Sequence, residues 1–166
     1  MVLASWLVRH PPLPSIYPTM RGVLFDLPHV VSGAPSLLAE AGVAGRCQVV
    51  GGSFFESVPE DGDAYLLKWI IHDWDDERAI AILTTCRRAM KGKGKLLVVD
   101  QVLPRRAEPS AADAFMVDLE MLVVAPGGRE RTEEDFRAVL RAAGFGLNRI
   151  VPTTWMRLGV IEGFLA

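Results

Sequence analysis

From Arg21 onward the chain alternates short apolar runs with segments of helical periodicity, and that alternation limits what it can fold into. GVLFDLP is a β-rich run ended by Pro28, and VVSGAPSLLAEAG reads as a helix ending at Gly42. RCQVVGGSF is a second strand running into a glycine pair, and DAYLLKWII is a third. The next helix can be capped by Asp73 or Asp75, and Asp75, Asp76 and Glu77 place negative charge where the helix dipole favours it. Ala79, Ile82, Leu83, Cys86, Ala89 and Met90 recur at spacings of three and four, so one face of that helix is buried. After KGKGK, LLVVDQVLP is a strand of continuous apolar character, as expected when both faces of a sheet are covered. Residues 110–124 are helix-like. Thr132 with Asp135 fits a capping box before a helix lined by Phe136, Val139, Leu140 and Ala143 and ended by Gly144. LNRIVPTTW and GVIEGFLA then form a final antiparallel pair, turning near Arg157 to Gly159. The expected fold is α/β: a mostly parallel sheet covered on both sides, with an antiparallel C-terminal hairpin.

A chain of 166 residues accommodates one domain with a substantial core. The formal net charge of -2 argues against a nucleic-acid partner, because neutralising phosphates needs an excess of Lys and Arg. Cys47 and Cys86 lack metal-ligand spacing and read as small buried hydrophobes in a reducing compartment. The opening MVLASWLVRH has no basic residues before its apolar run and is too short to span a membrane, so a cytoplasmic protein without membrane attachment is expected. HPPLPSIYP carries four prolines, each removing a backbone donor, so residues 1–20 are expected to be irregular or extended and residues 21–166 to form the domain.

Polar residues fall at the carboxyl ends of the expected strands: Asp26, Ser53, His72 and Asp100. In a parallel sheet those ends share one edge, where open α/β folds bind ligands. Asp26 either accepts two hydrogen bonds from adjacent ribose hydroxyls or is a turn residue before Pro28. Gly51 and Gly52 either let a ligand approach the backbone or form an ordinary turn. His72 is either a hydrogen-bonded strand-end histidine or a proton acceptor, and Asp100 and Glu130 are the acids that could orient its ring and stabilise its charged form. The run Asp75, Asp76, Glu77 is read as helix-start electrostatics and not as a metal site.

LLKWIIHDWDDERAIAIL, GVLFDLPHVV, VVGGSFFESVPEDGDAY and APGGRERTEEDF resemble the catalytic domain of the S-adenosylmethionine-dependent small-molecule O-methyltransferases, of the caffeic-acid and hydroxyindole type. The likeness runs from about Arg21 to Ala166. It implies a Rossmann-like methyltransferase fold and transfer of a methyl group from S-adenosylmethionine to a hydroxyl, expected to be phenolic, of a small secondary metabolite. It also implies that His72 is the general base, flanked by Asp100 and Glu130. By the same match Asp26 holds the cofactor ribose, Ser53 and Phe54 stand at an Asp-Met pair beside the adenine, and Lys68 and Trp74 belong to the cofactor site. Ser53 replaces an acid, and Asp100 stands where many relatives have Glu.

The same resemblance implies departures. The family's cofactor loop, DVGGGxG, precedes the FDLP strand; here that place reads MVLASWLVRHPPLPSIYPTM, with no glycine before Gly22. The chain is thus expected to be truncated at its N-terminus. The first strand and helix would be missing, or the strand replaced by MVLASWLV. The helical region that makes the family's homodimer and closes its substrate pocket would also be missing. Weak cofactor binding and poor turnover are expected of this chain alone. The alternative is a non-catalytic remnant that partners an intact methyltransferase through an exposed sheet edge.

Overall fold

The computed structural model describes residues 2–4, 17–106, 112–154 and 158–166. Its strands are β1 (Val2–Ala4), β2 (Gly22–Asp26), β3 (Cys47–Gly51), β4 (Ala64–Lys68), β5 (Lys95–Leu103), β6 (Arg131–Thr132), β7 (Phe145–Pro152) and β8 (Leu158–Leu165). Its helices are α1 (Pro28–Val31), α2 (Ala34–Glu40), α3 (Asp76–Ala89), α4 (Ala112–Val124) and α5 (Glu133–Ala142). The sheet order is β3-β2-β1-β4-β5-β8-β7, with β6 pairing β5 alongside. Strands β3 through β5 run parallel, and β8 joins β5 and β7 antiparallel. The expected α/β architecture, hairpin included, is the one observed.

Strand alternation sorts the apolar residues onto two faces. Phe25, Tyr65, Leu67, Leu96, Val98 and Ile161 pack under α3 and α5, whose Ile82, Leu83, Phe136 and Leu140 complete the larger core. Leu24 belongs instead to a second cluster with Val31 and Ala34 from α1 and α2. Every α3 and α5 residue expected to face inward is buried. Asp75 caps α3, its Oδ1 accepting the Arg78 N–H at 2.8 Å, and Thr132 and Asp135 form the expected capping box on α5. Cys86 is fully buried and its thiol is pushed up to about 12 by that burial, whereas Cys47 is only half-buried.

Three expectations need correction. VVSGAPSLLAEAG is two short helices broken at Ser32 and Gly33, not one, with a proline near the start of each. Pro28 begins α1; the strand before it ends at Asp26. DAYLLKWII is a strand only to Lys68, because Trp69 takes a left-handed conformation with φ 53° and turns the chain out of the ladder. Ile70 and Ile71 are buried all the same, so their apolar character reports burial and not pleat. At the other end of the chain Val2–Ala4 lies between β2 and β4, with Leu3 paired to both Phe25 and Leu67. A strand from MVLASWLV therefore takes an interior place in the sheet, between β2 and β4. Residues 5–16, the beginning of the helix expected over 110–124, and Arg157 of the expected turn lie outside the described residues.

Leu67 has no exposed surface and sits mid-core on β4. Leu67→Ala is expected to destabilise the fold by about 2–5 kcal/mol, read as a lowered urea midpoint at unchanged slope.

Candidate active site

The turn that ends β4 presents the central residue. Trp69 donates its N–H to Val99 O at 3.1 Å, one last link to β5, before its left-handed backbone redirects the chain. A bulky side chain at positive φ costs about 1–3 kcal/mol and persists only where its surroundings hold it. The chain then forms a single 3-10 turn, Ile71–Asp73, with His72 at its middle and Ile71 buried beneath. His72 therefore stands beyond the strand, on a turn, and not at the strand's last residue.

The segment after α4 closes on that turn. Gly127 has φ 88° with Asp75 beside it, and a Cβ on Gly128 would stand 2.7 Å from the Ala125 Cβ, closer than side chains tolerate, and 3.0 Å from the His72 carbonyl oxygen. Arg129 donates its N–H to the same carbonyl at 2.8 Å. Glu130 brings Oε1 to 2.8 Å from His72 Nδ1, and its own N–H donates to Asp118 Oδ1 of α4 at 2.8 Å. The fully buried Arg131 donates to Ile71 O and Trp74 O, each at 2.8 Å, and to Asp76 Oδ1 at 2.7 and 3.0 Å. One short stretch thus orients the imidazole and ties the main chain around it.

The acids about His72 decide its charge. Asp100 lies within β5 and not at its carboxyl end, with no exposed surface, and among the described residues neither of its carboxylate oxygens, nor Glu130 Oε2, has a hydrogen-bond partner. Burial pushes the Asp100 carboxyl up to about 7, against the downward pull of a charged His72. Burial alone would lower the pKa of His72; the Glu130 hydrogen bond and the charges of Asp100, Glu130 and Asp73 outweigh it and raise it to about 8. His72 and Asp100 therefore titrate as an interacting pair. With Nδ1–H donating to Glu130, Nε2 is left as the ring's acceptor, 3.5 Å from Asp73 Oδ1.

The other candidate residues lie along the same sheet edge. Asp26 ends β2 with Oδ1 accepting the Leu27 N–H at 2.7 Å. Ser53 follows β3, and its hydroxyl accepts the Phe55 N–H at 3.3 Å, a local turn contact. Phe54 and Trp74 meet edge to face at 6.2 Å, and Phe55 joins them 4.9 Å from Trp74. Arg78 lies 5.2 Å over the Trp74 ring. Lys68 ends β4 with Nζ 5.0 Å over Trp69, and burial lowers its pKa. His72 and Glu130 are brought into direct contact, Asp100 acts on them through its charge, and Phe54 and Trp74 form an aromatic wall. Among the described contacts, Asp26 and Ser53 share that edge without touching the others. Gly51 and Gly52 have another use: a Cβ on Gly51 would press on Pro28 and one on Gly52 on the Phe25 ring, so both glycines serve packing. A cleft of about 390 Å³ lined by Arg21, Arg46, Cys47 and Asp63 opens at the opposite edge of the sheet, away from every candidate residue. Sequence reasoning missed Arg131 and Asp118; the only signal was their nearness to Glu130 and to the helix before it.

The family model for the O-methyltransferase domain matches residues 12–146. The chain belongs to the O-methyltransferase domain family. This O-methyltransferase domain is 52% identical over 145 residues to the phenazine O-methyltransferase of Lysobacter antibioticus, a match covering 87% of this chain and 41% of that protein. It is 40% identical over 136 residues to the mitomycin biosynthesis 6-O-methyltransferase of Streptomyces lavendulae, covering 82% and 38%. The crystal structure of LaPhzM matches at a TM-score of 0.88 and 45% identity, over 99% of this chain and 49% of that one. NcsB1 from neocarzinostatin biosynthesis, in complex with S-adenosylmethionine and 2-hydroxy-5-methyl naphthoic acid, matches at 0.82 and 30% identity, over 93% and 44%. The domain spans about two fifths of the length of these curated relatives. No helix among its described residues is long and apolar enough to cross a membrane.

The His72 assignment has a direct test in the imidazole titration followed by NMR. The wild-type midpoint is expected at about 8, and Glu130→Gln, which removes the charge at Nδ1, is expected to bring it down toward 6.5. Because the folded value lies above the ordinary one, this interaction stabilises the fold fully below pH 6.5, and the contribution fades as pH rises through about 8.

Proposed function

We propose that this chain forms the base-bearing and nucleoside-holding edge of an S-adenosylmethionine-dependent O-methyltransferase acting on a phenolic hydroxyl of a small secondary metabolite. The observation that carries this reading is His72, hydrogen-bonded through Nδ1 to buried Glu130 and left with Nε2 as a proton acceptor. Names of relatives support it: phenazine, flavone and bergaptol O-methyltransferases are among them. We take residues 21–166 as the methyltransferase portion, with β1 completing its sheet.

The residues present suit the cofactor. Asp26, mostly buried at a strand end, offers acceptor oxygens for vicinal ribose hydroxyls; Phe54, Phe55 and Trp74 offer an apolar wall for a flat base; Ser53 precedes Phe54, and Lys68 ends β4 on the same edge. The partnerless oxygens of Asp100 and Glu130 make the surroundings of His72 favourable to a positively charged donor. When bound, S-adenosylmethionine would supply a methyl group made electrophilic by a positively charged sulfur, which keeps the C–S bonding pair and departs as a neutral thioether. The chain's own part is to hold the acceptor oxygen near His72 and take its proton at Nε2, the oxygen keeping the electron pair that forms the new bond to carbon. The imidazolium that results is stabilised by Glu130 and Asp100.

Magnitudes favour a phenol. A phenolic proton near pKa ~10 passes to a base near ~8 at a cost of about 3 kcal/mol, whereas a hydroxyl as weakly acidic as water, near ~16, costs about 11 kcal/mol. The first gap can be met during attack; the second is about twice a base's usual benefit of about 10²–10⁴-fold, which is worth about 3–5 kcal/mol.

Transfer of labelled methyl from S-adenosylmethionine to a panel of phenols is expected to rise with pH and level off above about 8, where His72 is neutral. His72→Ala is expected to lower it by about 10²–10⁴-fold. Asp26→Asn is expected to weaken cofactor binding by about 10–100-fold in calorimetry, the worth of charge-assisted hydrogen bonds. Unchanged transfer in His72→Ala would remove the base. A chain that binds the cofactor and methylates no phenol would point instead to a non-catalytic partner of another methyltransferase.

A further inference from the structure

We propose that Arg131 is the positioning residue of this site, fixing where His72 stands by holding the main chain on both sides of it. The proposal rests on reading His72 as the base. Arg131 is an arginine with no exposed surface, and it spends its guanidinium on backbone. Nη1 donates to Ile71 O, immediately before His72, and Nη2 to Trp74 O, two residues after it. Nε and Nη2 both reach Asp76 Oδ1 at the first residue of α3, so the turn is also tied to the helix that follows.

The arrangement is economical in a specific way. The 3-10 turn has little hydrogen bonding of its own: Asp73 N–H and Trp74 N–H reach back to Ile70 O and Ile71 O at 3.3 Å, long for such bonds. Its position is set from outside, by Arg129 N–H on the His72 carbonyl and by Arg131 on the carbonyls around it. Glu130, which lies between those two residues, holds the ring. Moving the turn relative to this segment would lengthen the Nδ1 to Oε1 contact and shift Nε2 together. A rigid planar fork can bind two carbonyls and a carboxylate at once; an ammonium on a flexible stem cannot reproduce that geometry.

The charged groups that face His72 are Glu130 after α4, Asp100 on β5 and Asp73 in the turn itself, and all three remain in an Arg131 variant. Arg131 itself lowers the pKa of Asp100 through its charge, so Arg131→Met alters charge as well as geometry, and it is in the charge-retaining Arg131→Lys that a changed His72 titration reports geometry. The test is the NMR titration of the His72 imidazole in the wild-type chain, Arg131→Met and Arg131→Lys, with Arg137→Ala as control, since exposed Arg137 pairs only with Glu133 among the described contacts. The midpoint is expected to fall in both Arg131 variants, further for Met, and to hold in the control. In the methyl-transfer assay kcat is expected to fall about 100-fold with the KM for cofactor unchanged. A folded Arg131→Lys with a wild-type midpoint overturns the proposal. If Arg131→Met does not fold, Arg131→Lys decides alone. A wild-type chain with no methyl transfer would overturn the assignment of His72 as base while the titration still judged Arg131.

Discussion

The hydrogen bond from His72 Nδ1 to Glu130 Oε1 joins segments 58 residues apart in sequence, and much of the structure is arranged so that it can form. On one side β4 must end at Lys68 and turn at Trp69 so that His72 leaves the sheet plane. On the other, α4 must end and the chain return along β5, with Arg131 and Thr132 pairing Val102 and Leu103. That two-residue pairing is too short to matter as a strand. Its value is that it registers Glu130 against the end of β5, and so against Asp100 on the same strand.

Placing two buried acids around one histidine is costly unless a proton or a cation shares the space. Here the cost is divided. Glu130 has a hydrogen-bonded partner in His72, while Asp100 has none among the described residues and is pushed toward the protonated form near neutral pH. The result is a group of three in which a proton lost by one member is readily held by another. Such a cluster is poor at stabilising a fold and well suited to moving a proton.

The sheet, its hairpin and both faces of α3 and α5 were legible in the sequence because period-2 and period-3.6 patterns report burial directly, as with Ile82, Leu83, Phe136 and Leu140. The candidate residues came from the resemblance, and the convergence of strand ends gave it a physical basis. What could not be read is where an apolar run stops being a strand. Trp69, Ile70 and Ile71 continue the pattern of β4, and only backbone conformation separates them from it. Arg131 was hidden for a related reason. Its partners lie 55 to 60 residues away, and an isolated arginine beside a capping box reads as surface charge until those carbonyls are seen around it. Gly51 and Gly52 were left between ligand approach and an ordinary turn, and what the pattern could not show is that Pro28 and Phe25 fill the space a Cβ would take.

The strand order adds one further constraint on what the edge can hold. Asp26 ends β2 and the His72 turn follows β4, and β1 lies between them. Neighbouring strands are about 4.8 Å apart, so a ligand touching both Asp26 and the region of His72 must cross the end of β1 over roughly 10 Å. A phenol or a nucleobase alone is too short for that. A nucleoside carrying a further reactive arm is long enough, with its sugar at Asp26 and its arm directed over Ala4 toward β4. The separation of Asp26 from the His72 turn by one intervening strand thus suits the span of a molecule shaped like S-adenosylmethionine.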